Sequence, residues 1–269
     1  MRLHRWLVVA LFALTGGCQT VQTTQPGAVG VDRKQVMMVS EAQVEQGAEA
    51  AYKQELEKAR QQGALNKDAQ TSRRVQAIAQ RLIPHTSVFR PDARQWKWEV
   101  NVQTSKDINA YCMPGGKIMV YTGLVERLDA TDAELAAVIG HEIAHALREH
   151  SRERLSRAYA QQLALAGLAV ATGAGQGTME LANQISQVTF TLPHSREQEA
   201  EADRIGLELM ARAGYDPSAA ISLWEKMSKA GGGGPPEFLS THPSGESRIR
   251  DLQAALPRVQ GLYSQARAN

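Results

Sequence analysis

The chain is poor in cysteine: it has two, Cys18 and Cys112, too few for a disulfide framework. With Cys18 claimed by the leader described below, Cys112 has no intrachain partner. It is expected as a small buried apolar residue, the alternative being a bridge between molecules. A surplus of one charge is missing as well. Thirty Lys and Arg face 28 Asp and Glu, a net of +2 with no long basic block, which argues against a nucleic-acid partner. No apolar run reaches the roughly 20 residues of a membrane-spanning helix. The Ala, Leu and Gly stretch Leu163–Gly175 is short and ends in glycine, so a buried core helix is expected there. No repeat of solenoid length is visible. What remains, 43% hydrophobic and 22% charged residues in 269, is ordinary globular composition with room for one catalytic domain.

The first residues read as a secretory leader: Arg2, His4 and Arg5 precede the apolar run Trp6–Leu14, and Thr15, Gly16 and Gly17 lead to Cys18. A cysteine directly after small residues resembles a bacterial lipobox, whose cysteine is lipidated and becomes the first mature residue. Thr15 departs from the Leu usual at its place, which leaves cleavage to a soluble secreted form as the alternative. Gln19 rather than Asp follows Cys18, and by the same resemblance this points to the outer membrane. The expected location is therefore the periplasm, with membrane attachment through lipidated Cys18. Residues 19–30, rich in Gln, Thr, Gly and Val, read as a tether; the domain is expected to occupy 31–269.

Ser40–Gln62 and Asp68–Leu82 carry helical composition, the second with Val75, Ile78, Ala79 and Leu82 on one stripe. Pro84 and Pro91 break the pattern. Trp96, Trp98, Val100 and Val102 alternate with polar residues, the period of a half-buried strand over Trp96–Val102. A second strand is expected at Lys117–Thr122, introduced by the turn Pro114-Gly115-Gly116. Thr131 and Glu134 have the spacing of a capping box ahead of Leu135, Val138 and Ile139. A later helix, Arg196–Arg212, stops at Gly214, and Asp216 and Pro217 suit the N-cap and first residue of the next.

The helix opened by Thr131 carries His141-Glu142-Ile143-Ala144-His145, an H-E-x-x-H sequence. Positions four apart differ by only about 40° around a helix, so both imidazoles can share one cation. Zinc suits two neutral imidazoles, a third ligand and a water, and Glu142 is the expected general base. Arg148 and Ser151 stand where a metzincin would have Gly and a third His, which excludes that class. His150 lies about 180° around the helix from His141 and cannot join the same ion, so a solvent-facing or hydrogen-bonded role is expected of it. The third ligand is sought in Ser195–Asp203, where Glu199 with Asp203 and Glu197 with Glu201 are both four apart. The residues alone leave that choice open.

These pieces, in this order, resemble the family-48 zinc metallopeptidases, which include the CAAX prenyl proteases, the mitochondrial OMA-type quality-control peptidases and bacterial periplasmic lipoprotein peptidases. Asn109-Ala110, Pro114-Gly115-Gly116-Lys117-Ile118, Thr122-Gly123-Leu124, His141–His145, Ser195–Asp203, Ser240-Thr241-His242-Pro243 and Arg248-Ile249 carry the resemblance, over about residues 70–255. It implies a mainly helical α+β fold of the zincin (gluzincin) kind with a small β-sheet bordering the active-site helix, and one zinc per chain. Glu199 would be the third ligand and Asp203 the partner of a ligand imidazole. His242 would contact zinc in a closed state or assist the transition state, and Arg248 would orient substrate or the site. The strand Lys117–Tyr121 would border the cleft and pair with an extended substrate. Without the spans of the CAAX branch or a tetratricopeptide segment, the chain resembles the compact lipoprotein branch. Its implied role is a metalloendopeptidase for misfolded or damaged envelope proteins. The alternative is a chaperone-like assembly factor for outer-membrane proteins with a latent protease site, suggested by a flexible joint at Gly231–Gly234 and by His242.

Overall fold

The computed structural model describes residues 19–166, 177–230, 236–243 and 246–268. Cys18 and its leader, the Gly231–Gly234 joint and most of the Leu163–Gly175 run lie outside them. No helix among the described residues is long and apolar enough to cross a membrane.

The first described residues correct the expectation of a tether. Strands β1 (Gln19–Val21) and β2 (Gln35–Met37) pair antiparallel, and between them Thr24 and Val29 are buried. Composition misread this stretch because its few polar groups have specific partners in the domain. The Gln25 N–H donates to the Phe89 carbonyl, the Val29 N–H to Glu208, and the Thr23 and Thr24 hydroxyls accept from Arg148.

Helices α1 (Glu41–Gln61) and α2 (Ala69–Leu82) begin where their capping residues dictate. Ser40 accepts from the Gln43 N–H, and Asp68 from Gln70 and Thr71. The prolines then open two 3-10 turns, Ile83–Val88 and Pro91–Gln95.

The sheet contains β3 (Glu99–Gln103), β4 (Ala110–Met113) and β5 (Lys117–Tyr121) in the order β3-β5-β4, with β3 parallel and β4 antiparallel to β5. Trp96 and Trp98 precede β3 rather than belong to it, because pairing starts only at Glu99 opposite Lys117. Trp98 instead covers the β4–β5 turn, where a Cβ on Gly116 would lie 2.6 Å from the indole and the backbone φ is +80°. β4 was not anticipated, since all four of its residues are buried and no alternation marks them. Its presence makes β5 the central strand. Both edges of β5 are consumed by hydrogen bonds, so the expectation that Lys117–Tyr121 pairs with an extended substrate is overturned.

After α3 (Thr122–Arg127) comes α4 (Asp132–Leu147), opened by the capping box of Thr131 and Glu134 and buried on every face from Glu134 to Leu147. It packs against β4, α2, α7 (Arg196–Arg212) and α8 (Ala219–Lys229). Between them run α5 (His150–Ala166) and α6 (Thr178–Phe190), and α9 (Glu237–Thr241) and α10 (Glu246–Ala268) complete the chain. Helix α8 starts later than expected. Asp216 accepts from the Ser218 N–H in a turn, and the helix follows from Ala219.

The α4–α7 contact positions the site. A Cβ on Gly206 would lie 2.8 Å from the His141 nitrogen, and one on Gly140 would lie 3.1 Å from the Gly206 carbonyl oxygen. The two helices touch backbone to backbone, which only paired glycines permit. Cys112 is buried and unpaired.

Candidate metal centre

Helix α4 presents His141 and His145 one turn apart, their Nε2 atoms 3.0 Å from each other. Glu199, in the first turns of α7, is 3.4 Å from His145 Nε2 and 3.6 Å from His141 Nε2. His242, just after α9, places Nδ1 3.3 Å from His141 Nε2 and 3.1 Å from Glu199 Oε1. These four buried side chains offer ligand atoms all within 4.8 Å of one another. An ion held tetrahedrally at about 2.0–2.1 Å separates its ligands by about 3.3–3.4 Å, so the spacing suits a small divalent ion. The donor chemistry agrees. Imidazole nitrogens converge on the Glu199 carboxylate, and beside them Glu142 Oε1 is buried without a hydrogen-bond partner, a costly arrangement unless a bound group completes it.

Outer partners fix each imidazole. His141 Nδ1 is 3.0 Å from Asp203 Oδ1, and Asp203 receives Arg248 through Nε at 2.8 Å and Nη2 at 2.6 Å. Arg248 Nη1 also lies 2.7 Å from Glu199 Oε2, out of line for a hydrogen bond. The Arg248 guanidinium stacks 3.7 Å above the Trp224 ring. Arg248 therefore faces the two carboxylates and does not line the cleft. Glu201, the competitor of Glu199, points elsewhere and is bound by Arg33, Arg148 and His150. Its companion Glu197 is exposed.

Of the two roles expected of His150, the hydrogen-bonded one is found: it is fully buried and turned inward. The helical wheel fails because α4 ends at Leu147, Glu149 takes a positive φ of 51°, and a new helix starts at His150. His145 Nδ1 lies 2.7 Å from His150 Nδ1, and His150 Nε2 lies 3.0 Å from Glu201 Oε2. With His145 Nε2 free for a metal, its Nδ1–H donates to His150, whose own Nε2–H donates to Glu201.

The local fields suit hydrolytic chemistry. Burial raises the Glu142 pKa against the opposing charges of His242 and His141, the direction a general base requires. Burial would also raise Glu199, but His242 and Arg248 outweigh it and hold the carboxyl well below its ordinary value. Burial drives His145 well below its usual pKa, leaving it neutral as a ligand must be.

Beside Glu142 and His145 the cleft narrows to a cavity of about 20 Å³, room for about one water. It is lined by Asn109 to Cys112 around β4, by Arg154, Thr189, Phe190 and His194, and by His242. The sequence reading passed over His194 and Arg154. The His194 ring lies 3.9 Å from that of His145 and 4.8 Å from that of His242. One signal was available for His194, its place directly before Ser195, the cap of the helix that carries Glu199.

An H-E-x-x-H helix crossed by a second helix that contributes a glutamate defines a gluzincin-type metallopeptidase domain. The profile of peptidase family M48 matches residues 69–256, and the chain belongs to that family. It is 42% identical over 161 residues to Mitochondrial metalloendopeptidase OMA1 of Arabidopsis thaliana, covering 59% of this chain and 31% of that protein. Metalloprotease LoiP of Escherichia coli is 28% identical over 93% of this chain and 97% of its own length. The Beta-barrel assembly-enhancing protease of Escherichia coli is 28% identical over 71% of this chain and 40% of its own length. The chain thus spans about a third of the Arabidopsis relative.

Proposed function

We propose that this chain is a zinc-dependent endopeptidase that cleaves misfolded or damaged proteins of the bacterial envelope. The observation that carries the reading is the convergence of His141, His145 and Glu199 beside Glu142, whose Oε1 is buried in the cleft without a partner. His141 Nε2, His145 Nε2 and the Glu199 carboxylate would hold the ion. Bound there, zinc supplies a polarised carbonyl and an acidified water. Glu142 takes the proton at its free oxygen and later delivers it to the leaving amine, while a hydrogen bond from the Cys112 backbone steadies its carboxylate. β4 has β5 on one side only, so its outer edge can receive an extended peptide main chain. Recognition through the main chain tolerates many sequences, which suits unfolded substrates.

The envelope assignment is supported by the leader read before Gln19 and by the similarity to the Beta-barrel assembly-enhancing protease of Escherichia coli. We place the protein in the periplasm, held to the outer membrane by a lipid on Cys18. Cleavage of an unfolded protein such as casein by the zinc-loaded chain tests the chemistry: a Glu142→Gln variant that cleaves as well as wild type overturns it. Membrane fractionation tests the location, since Cys18→Ser should release the protein from the outer-membrane fraction.

One observation favours a second reading, an assembly factor for outer-membrane proteins whose protease site is usually shut. His242 stands among the ligand atoms and the cleft is closed. Complementation of an envelope defect by Glu142→Gln would support this reading, and complete loss of function would refute it.

A further inference from the structure

The buried arginines other than Arg154 have carboxylate partners among the described residues. Arg90 meets Glu41, Asp92 and Glu149; Arg148 meets Glu201; Arg248 meets Asp203 and Glu199. Arg154, on the second turn of α5, is equally buried at 7% exposure. It makes one hydrogen bond, from Nη1 to the Leu192 carbonyl at 2.6 Å, and its Nε has no partner. A buried charge left in this way is costly. Burial pulls the Arg154 pKa down to about 10, against the more distant fields of Glu199, Glu142 and Glu153, so the guanidinium stays charged at neutral pH.

Arg154 is not alone. Tyr111 Oη, Thr189 Oγ1 and His194 Nδ1 are also buried without partners, and all three residues line the same cavity as Arg154, beside Glu142 and His145. They come from separate elements, β4, α6 and the segment before α7. A guanidinium, two hydroxyls and an imidazole line this one small space, and the unpartnered acceptor there, Glu142 Oε1, is the oxygen assigned to proton transfer. A backbone carbonyl would engage one or two of these donors, whereas a carboxylate accepts several bonds and also neutralises the charge.

Resting on the proposed peptidase activity, we propose that Arg154, Tyr111, Thr189 and His194 form a subsite for a substrate carboxylate next to the scissile bond. The carboxylate comes either from an Asp or Glu side chain or from the end of a peptide chain. The subsite makes cleavage selective for acidic or terminal positions within an otherwise sequence-tolerant cleft. The cavity of about 20 Å³ is too small for a peptide, so the subsite fills only when the cleft opens.

The test uses four peptides of one sequence, with Glu or Gln beside the cleaved bond, each as the C-terminal acid and the C-terminal amide. The zinc-loaded wild type should favour the carboxylate forms about 10- to 100-fold in kcat/KM. The Glu and Gln pair reads an internal side chain, and the acid and amide pair reads a chain end. Arg154→Gln should abolish the preference, Arg154→Lys should retain part of it, and Thr189→Val should reduce it. Binding of the same peptides to the Glu142→Gln protein, measured calorimetrically, reads the subsite without turnover and so separates its failure from failure of the peptidase reading. If Arg154→Gln does not fold, the Thr189→Val and wild-type comparisons still decide. Equal binding and cleavage of all four peptides by wild type, or a preference that survives in folded Arg154→Gln, overturns the proposal.

Discussion

Replacing Gly206 with alanine tests whether the metal centre depends on the α4–α7 contact. The new Cβ would stand 2.8 Å from the His141 nitrogen and 3.0 Å from the Gly140 carbonyl carbon. Ordinary van der Waals contact at such positions begins near 3.4 Å, so the helices must separate by about 0.6 Å, and neither atom belongs to a flexible side chain that could turn aside. Overpacking of this kind costs about 1–3 kcal/mol, which lowers the melting temperature by roughly 2–12 °C in a chain of this size. The consequence for the site is sharper. His141 and His145 ride on α4 and Glu199 on α7, and metal ligands tolerate displacements of only about 0.2 Å. Zinc affinity, measured by competition with a coloured chelator, should therefore fall at least tenfold. Thermal melting with and without zinc separates the two effects: the apo melting point reads the overpacking, and the increment given by zinc should shrink in addition. If Gly206→Ala melts within a degree of wild type and binds zinc within twofold, the helix contact does not set the ligand geometry.

Asp203→Asn removes the negative charge that His141 Nδ1 and Arg248 share, and zinc affinity should drop about 10- to 100-fold with little change in helix content by circular dichroism. A chain starting at Met38 lacks Thr23, Thr24 and Arg33. The buried Arg148 then loses three hydrogen-bond acceptors, and Glu153 and Glu201 lose their shared guanidinium. With about 1–3 kcal/mol for each buried group left unpaired, melting should fall by more than about 5 °C; an unchanged melting point would show residues 19–37 to be dispensable. Burial would raise Glu201, but His150, Arg33 and Arg148 hold it at about 2 against an ordinary 4.5. Because the folded value is depressed, this stabilisation is complete above pH 4.5 and disappears as pH falls from 4.5 towards 2, a contribution of about 1–2 kcal/mol after solvent screening. The stability gap between wild type and Glu201→Gln, measured by denaturant titration, should accordingly close over that window.

What could be read from the residues was whatever local spacing determines. The capping box of Thr131 put the start of α4 where the structure has it, and the helix expected over Arg196–Arg212 coincides with α7, while the four-residue interval of His141 and His145 implied a shared cation before any fold was known. The same logic could not choose between Glu199 and Glu201, because helical spacing orders side chains around one axis and says nothing about the neighbour they face. The neighbour is decided by Gly140 and Gly206, which are unremarkable in either helix taken separately and matter only where the two cross. The inward turn of His150 was hidden for a related reason. A wheel drawn through Leu147 assumed an unbroken helix, and the left-handed turn at Glu149 carries no glycine to announce it. β4 was missed because burial on both faces erases the alternation that marks a strand, and without β4 the central strand β5 was taken to have a free edge. Arg154 shows the limit most clearly. In sequence it is one arginine among the charged residues of α5, and its meaning lies in the carboxylate that the folded protein fails to put beside it. An absence of that kind exists only in three dimensions, which is why the catalytic residues were legible in the chain while the walls that select a substrate were not.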